Sequence, residues 1–369
     1  MLLNRAGLQS AAALACGFAL YLATTSAFAS CGIGDLDGNG VVDGADLGEL
    51  LAAWGKSGPA DLDGSGVIDG ADLGIMLGSW GPVLLEGGTF PEMWINGGPN
   101  CGAEPAIQVH WYNEDFAILR QSLCTNFEAP FIMLLFGNEK VLMMDTGAGG
   151  IPIGAKTQEV IGEWLTRHGR ESIDLVVAHT HGHGDHVAGN SQFTGMPSTV
   201  VVGNSQAAVK TFFGIDNWPE QIVEYDLGGR IVDVIPIPGH QSAHIAVYDR
   251  ATGILMTGDT LYPGRLYIST FSQYVDSIDR MVEFTADKPL CWILGTHIEM
   301  SNTPGQDFPL GSTSHPDEHP LQLTRAHLLE LQAALHAMGG HPQYEEHDDF
   351  IIFPHGGAAR GAERSDARS

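Results

Sequence analysis

Residues 179–186 read His-Thr-His-Gly-His-Gly-Asp-His, and the reading of this stretch decides the fold. Immediately before it, Ile173-Asp-Leu-Val-Val-Ala178 is a short apolar run rich in β-branched residues. That is the pattern of a buried strand running into a loop. At a strand end His181 and His183, two residues apart, point the same way, and Asp185 and His186 turn toward a second point nearby. Imidazole plus carboxylate is the ligand set of Zn²⁺ and similar divalent metals. A His-rich surface loop without metal is the competing reading. It is disfavoured because the rest of the chain supplies matching partners.

Those partners come in order. Pro238-Gly-His240 follows the strand-like stretch Gly229–Ile237, and Thr257-Gly-Asp-Thr260 follows Gly253-Ile-Leu-Met256. Gly295-Thr-His297 follows Trp292-Ile-Leu294, and upstream Asp145-Thr-Gly-Ala-Gly149 closes Lys140-Val-Leu-Met-Met144. Each time a strand ends in a glycine-containing turn that carries one His or Asp. Any one of these is weak alone, since a Gly-His after a strand is more often a plain turn; five in this order are specific.

The ordered set resembles the metallo-β-lactamase superfamily over roughly residues 100–354. The resemblance implies an α/β fold, the αββα sandwich, with ligands on loops at one edge. It implies that His181, His183 and His240 hold one metal, that Asp185, His186 and His297 hold a second, and that Asp259 bridges both. Asp145 matches the family position that braces the site. Many zinc β-lactamases carry Cys or Ser where Asp259 stands, so the match is closer to the glyoxalase II and general hydrolase branches. Two Zn (or other divalent transition metal) ions about 3.5–4 Å apart can share a hydroxide that attacks an electrophilic carbonyl or phosphoryl. Asp185 is both ligand and the candidate catalytic residue for orienting that hydroxide or passing its proton on. His179 and His244 lie in the motifs but outside the ligand pattern, and packing around the site is the expectation for both.

The 369-residue chain carries a net charge of −27, which argues against nucleic acid as a partner. Its start reads as a signal peptide, 1–29: Arg5, the apolar run Ala11–Leu22, and the small-x-small site Ala27-Phe-Ala29. No transmembrane span is expected elsewhere, so the mature chain should be secreted, periplasmic or at the cell surface. Phe28-Ala-Ser-Cys31 loosely resembles a lipoprotein box with Phe in place of the usual Leu, and a lipid anchor at Cys31 is the lesser alternative. Cys101 and Cys124 flank the first expected strands, 107–110 and 116–120, and are the preferred disulfide pair in an exported chain. Cys291, at the start of an apolar strand, reads as a buried thiol.

Two stretches repeat at a period of 26 residues. Asp35-Leu-Asp-Gly-Asn-Gly-Val-Val-Asp-Gly-Ala-Asp46 matches Asp61-Leu-Asp-Gly-Ser-Gly-Val-Ile-Asp-Gly-Ala-Asp72. Oxygen ligands fall at loop positions 1, 3, 5, 9 and 12, namely Asp35, Asp37, Asn39, Asp43 and Asp46, then Asp61, Asp63, Ser65, Asp69 and Asp72. Glycine stands at position 6, and the carbonyls of Val41 and Val67 complete each shell. This is the logic of an EF-hand Ca²⁺ loop, so two Ca ions are expected. Leu47, Leu50, Leu51 and Trp54, and their partners 26 residues on, are placed on one helical face per repeat that buries against the other.

Duplicated loop-helix units resemble dockerins over 33–82, which implies a small all-α Ca-binding domain and a cohesin-like protein partner. Dockerins usually show polar residues at loop positions 10 and 11, where this chain has Gly44-Ala45 and Gly70-Ala71. A Ca-stabilised extracellular appendage therefore stands beside the docking reading. Residues 83–105 read as a linker, 106–354 as the hydrolase domain, and 355–369 as a disordered tail. Helical patterns fall at 156–168, 205–213, 272–285 and 321–338.

The function expected is an exported binuclear hydrolase that attacks an ester, thioester or lactone-type bond of a small-molecule substrate. The alternatives are a non-catalytic dockerin-bearing adaptor, or a phosphodiesterase or β-lactamase-type hydrolase of the same fold. The complete ligand set favours an enzyme. Tyr262, Arg265 and Tyr267 are expected to pack a loop, and His315, Asp317, Glu318 and His319 to form an exposed helix start near the site mouth.

Overall fold

The computed structural model describes residues 34–37, 41–63, 65–82 and 85–355. The expected signal peptide, Cys31, Asn39 and the tail from 356 onward lie outside the described residues.

Two six-stranded sheets form the centre. In the first, Ile107–Asn113, Phe116–Gln121, Phe131–Phe136 and Lys140–Met144 run antiparallel, and Asp174–Ala178 and Thr199–Val201 continue it in parallel. In the second, Val223–Asp226, Ile231–Pro236, Ile245–Asp249 and Ile254–Gly258 run antiparallel. Trp292–Gly295 then adds in parallel, and Gln322–Leu323 closes the edge antiparallel. Arg265–Ile268 joins a smaller sheet with Glu345–Glu346 and Ile351–Pro354.

The layers follow from side-chain alternation along the strands. Phe116, Ile118, Phe131, Met133, Leu135, Leu142 and Met144 face Val232, Val234, Ile245, Val247 and Met256 of the second sheet. Their neighbours Ala117, Leu119, Ile132, Leu134, Val141 and Met143 face outward to a core shared with Val160, Ile161 and Trp164 of the helix Ile153–His168. On the far side the helices Phe271–Thr285 and Arg325–Ala337 cover Ile235, Tyr248, Leu255 and Ile293. Helix, sheet, sheet and helix are thus stacked, with both faces of the central strands of each six-stranded sheet buried.

Several expectations need correction. The pattern at 321–338 begins as a strand: Gln322–Leu323 pairs with Ile293 and Leu294, and the helix starts only at Arg325, with Thr324 as its cap. The segment expected as a linker packs onto the sandwich. Trp94 is buried against Phe131, Leu85 and Phe90 lie on the inter-sheet core, and Gly97 bridges to Ser314. Cys101 and Cys124 are joined by a disulfide, and Cys291 is disulfide-bonded rather than a free thiol. Burial at a strand start does not distinguish a thiol from half a disulfide.

The N-terminal repeat is not purely helical. Val41–Val42 pairs antiparallel with Gly81–Pro82 beside the helices Gly44–Ala52 and Gly70–Gly78. Its small core is Val42, Leu50, Ala60, Ile68 and Met76. Leu51 and Trp54 are exposed, as are their repeat partners Leu77 and Trp80, so only part of each expected face is buried. A nine-residue helix presents too few turns to bury four large side chains against one short neighbour.

Candidate metal centre

The strand-end turns converge at one edge of the sandwich, and glycine is what lets them close. Gly258 sits at φ +54, where a Cβ would lie 2.5 Å from His244 Nε2 and 2.7 Å from the Thr180 side chain. Gly239 sits at φ +143 against the backbone of Tyr274, again with no room for a Cβ. Asp259 and His240, the residues that follow, are thereby aimed inward.

Among the described residues two groups of four could each hold an ion: His181, His183, His240 and Asp259, and Asp185, His186, His297 and Asp259. In the first group His181 Nε2 lies 2.9 Å from His183 Nδ1 and 3.2 Å from His240 Nε2, and His240 Nε2 lies 3.0 Å from His183 Nδ1. Asp259 Oδ2 is 3.6 Å from both His181 and His240. In the second group His297 Nε2 lies 3.4 Å from His186 Nε2 and 3.4 Å from Asp185 Oδ2. Asp259 approaches His186 at 3.3 Å and His297 at 3.4 Å. A tetrahedron with bonds of about 2.0–2.1 Å to its centre has edges of about 3.3 Å, so both donor sets fit a zinc-sized ion. Asp259 is the one residue common to both groups.

The far side of each imidazole fixes which nitrogen is offered. His240 Nδ1 donates to the Tyr267 carbonyl and His297 Nδ1 to the Glu128 carbonyl, each at 2.7 Å. His186 Nδ1 donates to Asp145 Oδ2 at 3.0 Å. Asp145 also accepts from Thr180 N and Thr180 Oγ1, both at 2.8 Å, and does so from a left-handed backbone at φ +71. A non-glycine residue there is strained, and the strain is held by those bonds. The Thr296 hydroxyl donates to Asp259 Oδ1.

Electrostatics divides the two groups. Burial lowers His181, His183 and His240 below the usual imidazole range, so these three are neutral donors. Burial also opposes charge on His186 and His297, but Asp259 and its neighbouring carboxylates outweigh it. His186 is held well above its ordinary value and His297 is pushed up to about 9. Burial raises Asp185 and Asp259, yet hydrogen bonds and charge from these histidines overcome it and keep both ionised.

His179 and His244 are buried beside the site without joining either group. His179 Nε2 faces Asn190 Oδ1 at 2.7 Å, and His244 stacks on His181 with ring centroids 4.6 Å apart. Tyr262 and Arg265 are buried in the loop and the strand that follow Asp259. The stretch 315–319 is no exposed helix start: His315 is buried, and Glu318 pairs with the fully buried Arg120. The sequence does not reveal the roles of Thr180, Thr296, Glu128 and Tyr267, the last of which is expected only to pack a loop. The two threonines adjoin ligands and were findable by position. Glu128 and Tyr267 act through backbone carbonyls, which leave no side-chain signal.

The N-terminal repeat gathers two more clusters, Asp35–Asp37–Asp46 and Asp61–Asp63–Asp72. Asp46 accepts from the backbone of Leu36, Asp37 and Asp43, and Asp72 from Leu62, Asp63 and Asp69, so the two loops close identically. Gly66 makes its turn at φ +89. Asp43 and Asp69 cap the helices by accepting from Ala45 and Ala71, and are not in the clusters. Ser65 Oγ donates to the Val67 carbonyl at 3.2 Å.

Residues 125–297 match the model of the metallo-β-lactamase superfamily. A hydroxyacylglutathione hydrolase of Rhizobium meliloti is 31% identical over 154 residues, 41% of this chain and 59% of that protein. One of Chromohalobacter salexigens is 32% identical over 44% of this chain and 60% of its own length, and one of Nostoc punctiforme 37% identical over 29% and 46%. The chain spans about half the length of the curated relatives it matches. A solved metallo-β-lactamase from Pontibacter korlensis is 18% identical, covering 62% of this chain and 99% of that one with a TM-score of 0.41.

Proposed function

We propose that this chain, of the metallo-β-lactamase superfamily over residues 125–297, is a binuclear metal-dependent hydrolase that cleaves an ester, thioester or lactone-type bond. The observation that carries the reading is the pair of four-donor groups sharing Asp259, with spacings that suit zinc. Two bound metal ions would supply a nucleophile at neutral pH and polarise the substrate oxygen. The chain's own residues do the rest. The Tyr267 and Glu128 carbonyls and the Asp145 carboxylate hold three imidazoles in register. Asp185 is the most exposed carboxylate of the centre and is the group placed to accept a proton from water and pass it to the leaving group.

The relatives' names point to a thioester of glutathione, and thioesters stand among the candidate substrates here. The mature protein is read as exported after cleavage near residue 29, and the repeat 33–82 as a Ca²⁺-binding appendage. The three-aspartate cluster in each loop supports calcium at Asp35, Asp37 and Asp46 and at Asp61, Asp63 and Asp72. A cohesin-like partner for that appendage has support only from the repeat pattern and the exposed Trp54 and Trp80.

The test is a panel of chromogenic thioester, ester, lactone, cephalosporin, phosphodiester and sulfate substrates with zinc added. Turnover of an acyl substrate that is lost on chelation and restored by zinc is expected. Inertness of the zinc-loaded protein toward every acyl substrate would overturn the reading.

A further inference from the structure

Two stretches of chain direct the imidazoles of the Asp185, His186 and His297 group. Asp145 faces Nδ1 of His186 from the turn 145–149, and in the same turn Thr146 N donates to the His186 carbonyl at 2.7 Å. The loop 122–129 supplies the Glu128 carbonyl that accepts from Nδ1 of His297. The backbone beside His297 is held separately, by Phe131 N donating to the Thr296 carbonyl at 2.8 Å. The loop therefore sets the direction of the His297 ring rather than the place of its backbone.

Two side chains tie the turn to the loop. Gln121 is fully buried at the end of the strand Phe116–Gln121. Its Oε1 accepts from Ala148 N at 2.9 Å, and its Nε2 donates to the Gly149 carbonyl at 2.9 Å and to Thr125 Oγ1 at 3.1 Å. That seat needs Gly147, where φ is +81 and an added Cβ would stand 2.8 Å from Gln121 Oε1. Asn126 makes the second tie. Its Nδ2 donates to the Ala148 carbonyl at 3.4 Å, and its Oδ1 accepts from Glu128 N at 2.9 Å. The Asn126 carbonyl also accepts from Ala129 N at 3.2 Å. Ala129 stands at φ +40, a left-handed backbone that a non-glycine residue keeps only when its neighbours impose it. Asn126 thus grips Glu128 N and Ala129 N, on either side of the carbonyl that turns His297.

We propose that Gln121 and Asn126 are positioning residues for the ion held by Asp185, His186 and His297. Together they clamp the turn that directs His186 to the loop that directs His297, and so set the separation of the two imidazoles, 3.4 Å between Nε2 atoms. The proposal rests on the binuclear reading of the metal centre. Neither residue belongs to a donor group. Each hydrogen bond from a neutral side chain is modest alone. An ion that needs bonds of about 2.0–2.1 Å from each imidazole is nonetheless sensitive to where those imidazoles stand. The three-histidine group depends on the clamp less. Its His240 is turned by the Tyr267 carbonyl, and His181 and His183 lie on the loop after the strand Asp174–Ala178.

The test is a calorimetric zinc titration of the full chain and of its Asn126→Ala and Gln121→Met variants. Asp185→Ala marks which of the two binding steps belongs to the ion that Asp185 shares with His186 and His297. In each variant that step is expected to weaken by about tenfold, the low end for loss of an orienting partner, because both residues act through another group. The other step is expected to stay within about twofold. A side chain that only supports the fold would weaken both ions together, so the ratio of the two affinities separates positioning from general loosening. Asn126 is half-buried in a loop, and Asn126→Ala carries the test alone if Gln121→Met does not fold. Equal weakening of both steps, or no change in either, would overturn the proposal and leave the binuclear reading intact. A single zinc step in the unsubstituted chain would overturn both, and it shows before any variant is compared.

Discussion

Asp145 Oδ2 lies 3.0 Å from Nδ1 of His186, so the imidazole presents Nε2 to Asp185 and Asp259. A residue outside both donor groups thus sets the direction of a ligand inside one. Its carboxylate also ties down Thr180, the residue immediately before His181, so one side chain fixes the start of the ligand loop as well.

Replacing Asp145 with Asn should therefore loosen one metal more than the other. We expect affinity for the ion held by Asp185, His186 and His297 to fall by roughly 10–100-fold, the usual effect of removing such an orienting partner. The three-histidine group should change less, because His240 is held by Tyr267 and not by Asp145. Zinc release to a chromophoric chelator reads this as two phases. Two phases that are both unchanged would show that Asp145 does not orient His186.

The two groups should also differ in pH dependence. In the metal-free protein His297 is pushed up to about 9, whereas His181, His183 and His240 are lowered. Metal entry at the His297 site must displace a proton from both His297 and the likewise raised His186 in the neutral range, so its affinity should rise by more than tenfold, up to about a hundredfold, per pH unit. The three-histidine site should be nearly flat above pH 7. The raised His297 also contributes stability to the metal-free fold that is complete below about 6.5, the unfolded value, and lost as pH rises through about 9. Calorimetric zinc titrations at pH 6, 7 and 8 check the first point; parallel slopes for both sites would contradict it.

Glu318 should be costly to remove. Arg120 is fully buried, meets Glu318 through both Nη atoms, and its Nε has no hydrogen-bond partner. Glu318→Ala would leave a buried guanidinium without its counter-charge, a change that typically destabilises by about 3–5 kcal/mol. Chemical denaturation of the zinc-loaded protein measures it. A loss under about 1 kcal/mol, the scale of a surface pair, would show that water reaches Arg120.

That pair also marks where sequence reasoning stops. The ligand turns were legible because each joins an apolar strand to a glycine turn with one His or Asp, a purely local pattern. The helical pattern at 156–168 is equally local, and the helix itself begins three residues earlier, at Ile153. By sequence alone Glu318 reads as part of an exposed helix start, because Pro316 and Pro320 suit a first turn. Its partner stands 198 residues away, and no local pattern announces it. Leu321–Leu323 belongs to the same class: sheet pairing with Ile293 and Leu294 overrode a helical periodicity. In the repeat, periodicity placed Leu50 in the core correctly, but the width of the buried face depends on how much partner surface is available, which left Trp54 and Trp80 outside.

Asp259→Ala should abolish hydrolysis more completely than it unfolds the protein. Asp259 is common to both donor groups, with Oδ2 at 3.3 Å from His186 and 3.6 Å from His181, and Oδ1 at 3.4 Å from His297. Its loss removes one donor from each group and the negative charge that would offset two bound dications. Six donors remain, four on the loop after Asp174–Ala178 and one each on the turns that carry His240 and His297, so the fold should survive with a melting temperature lowered by a few degrees, about 1–2 kcal/mol for a domain of this size. Without the shared carboxylate, the nucleophile and the polarised carbonyl are no longer held in one frame, and a rate loss of at least ~10²-fold is expected. The comparison is made under saturating zinc, with the best acyl substrate of the panel and with bound metal quantified in both proteins. Near-normal turnover with two zinc ions retained would show that Asp259 is not the shared ligand. It would also remove the feature that sets this centre apart from β-lactamase sites with Cys or Ser at that position.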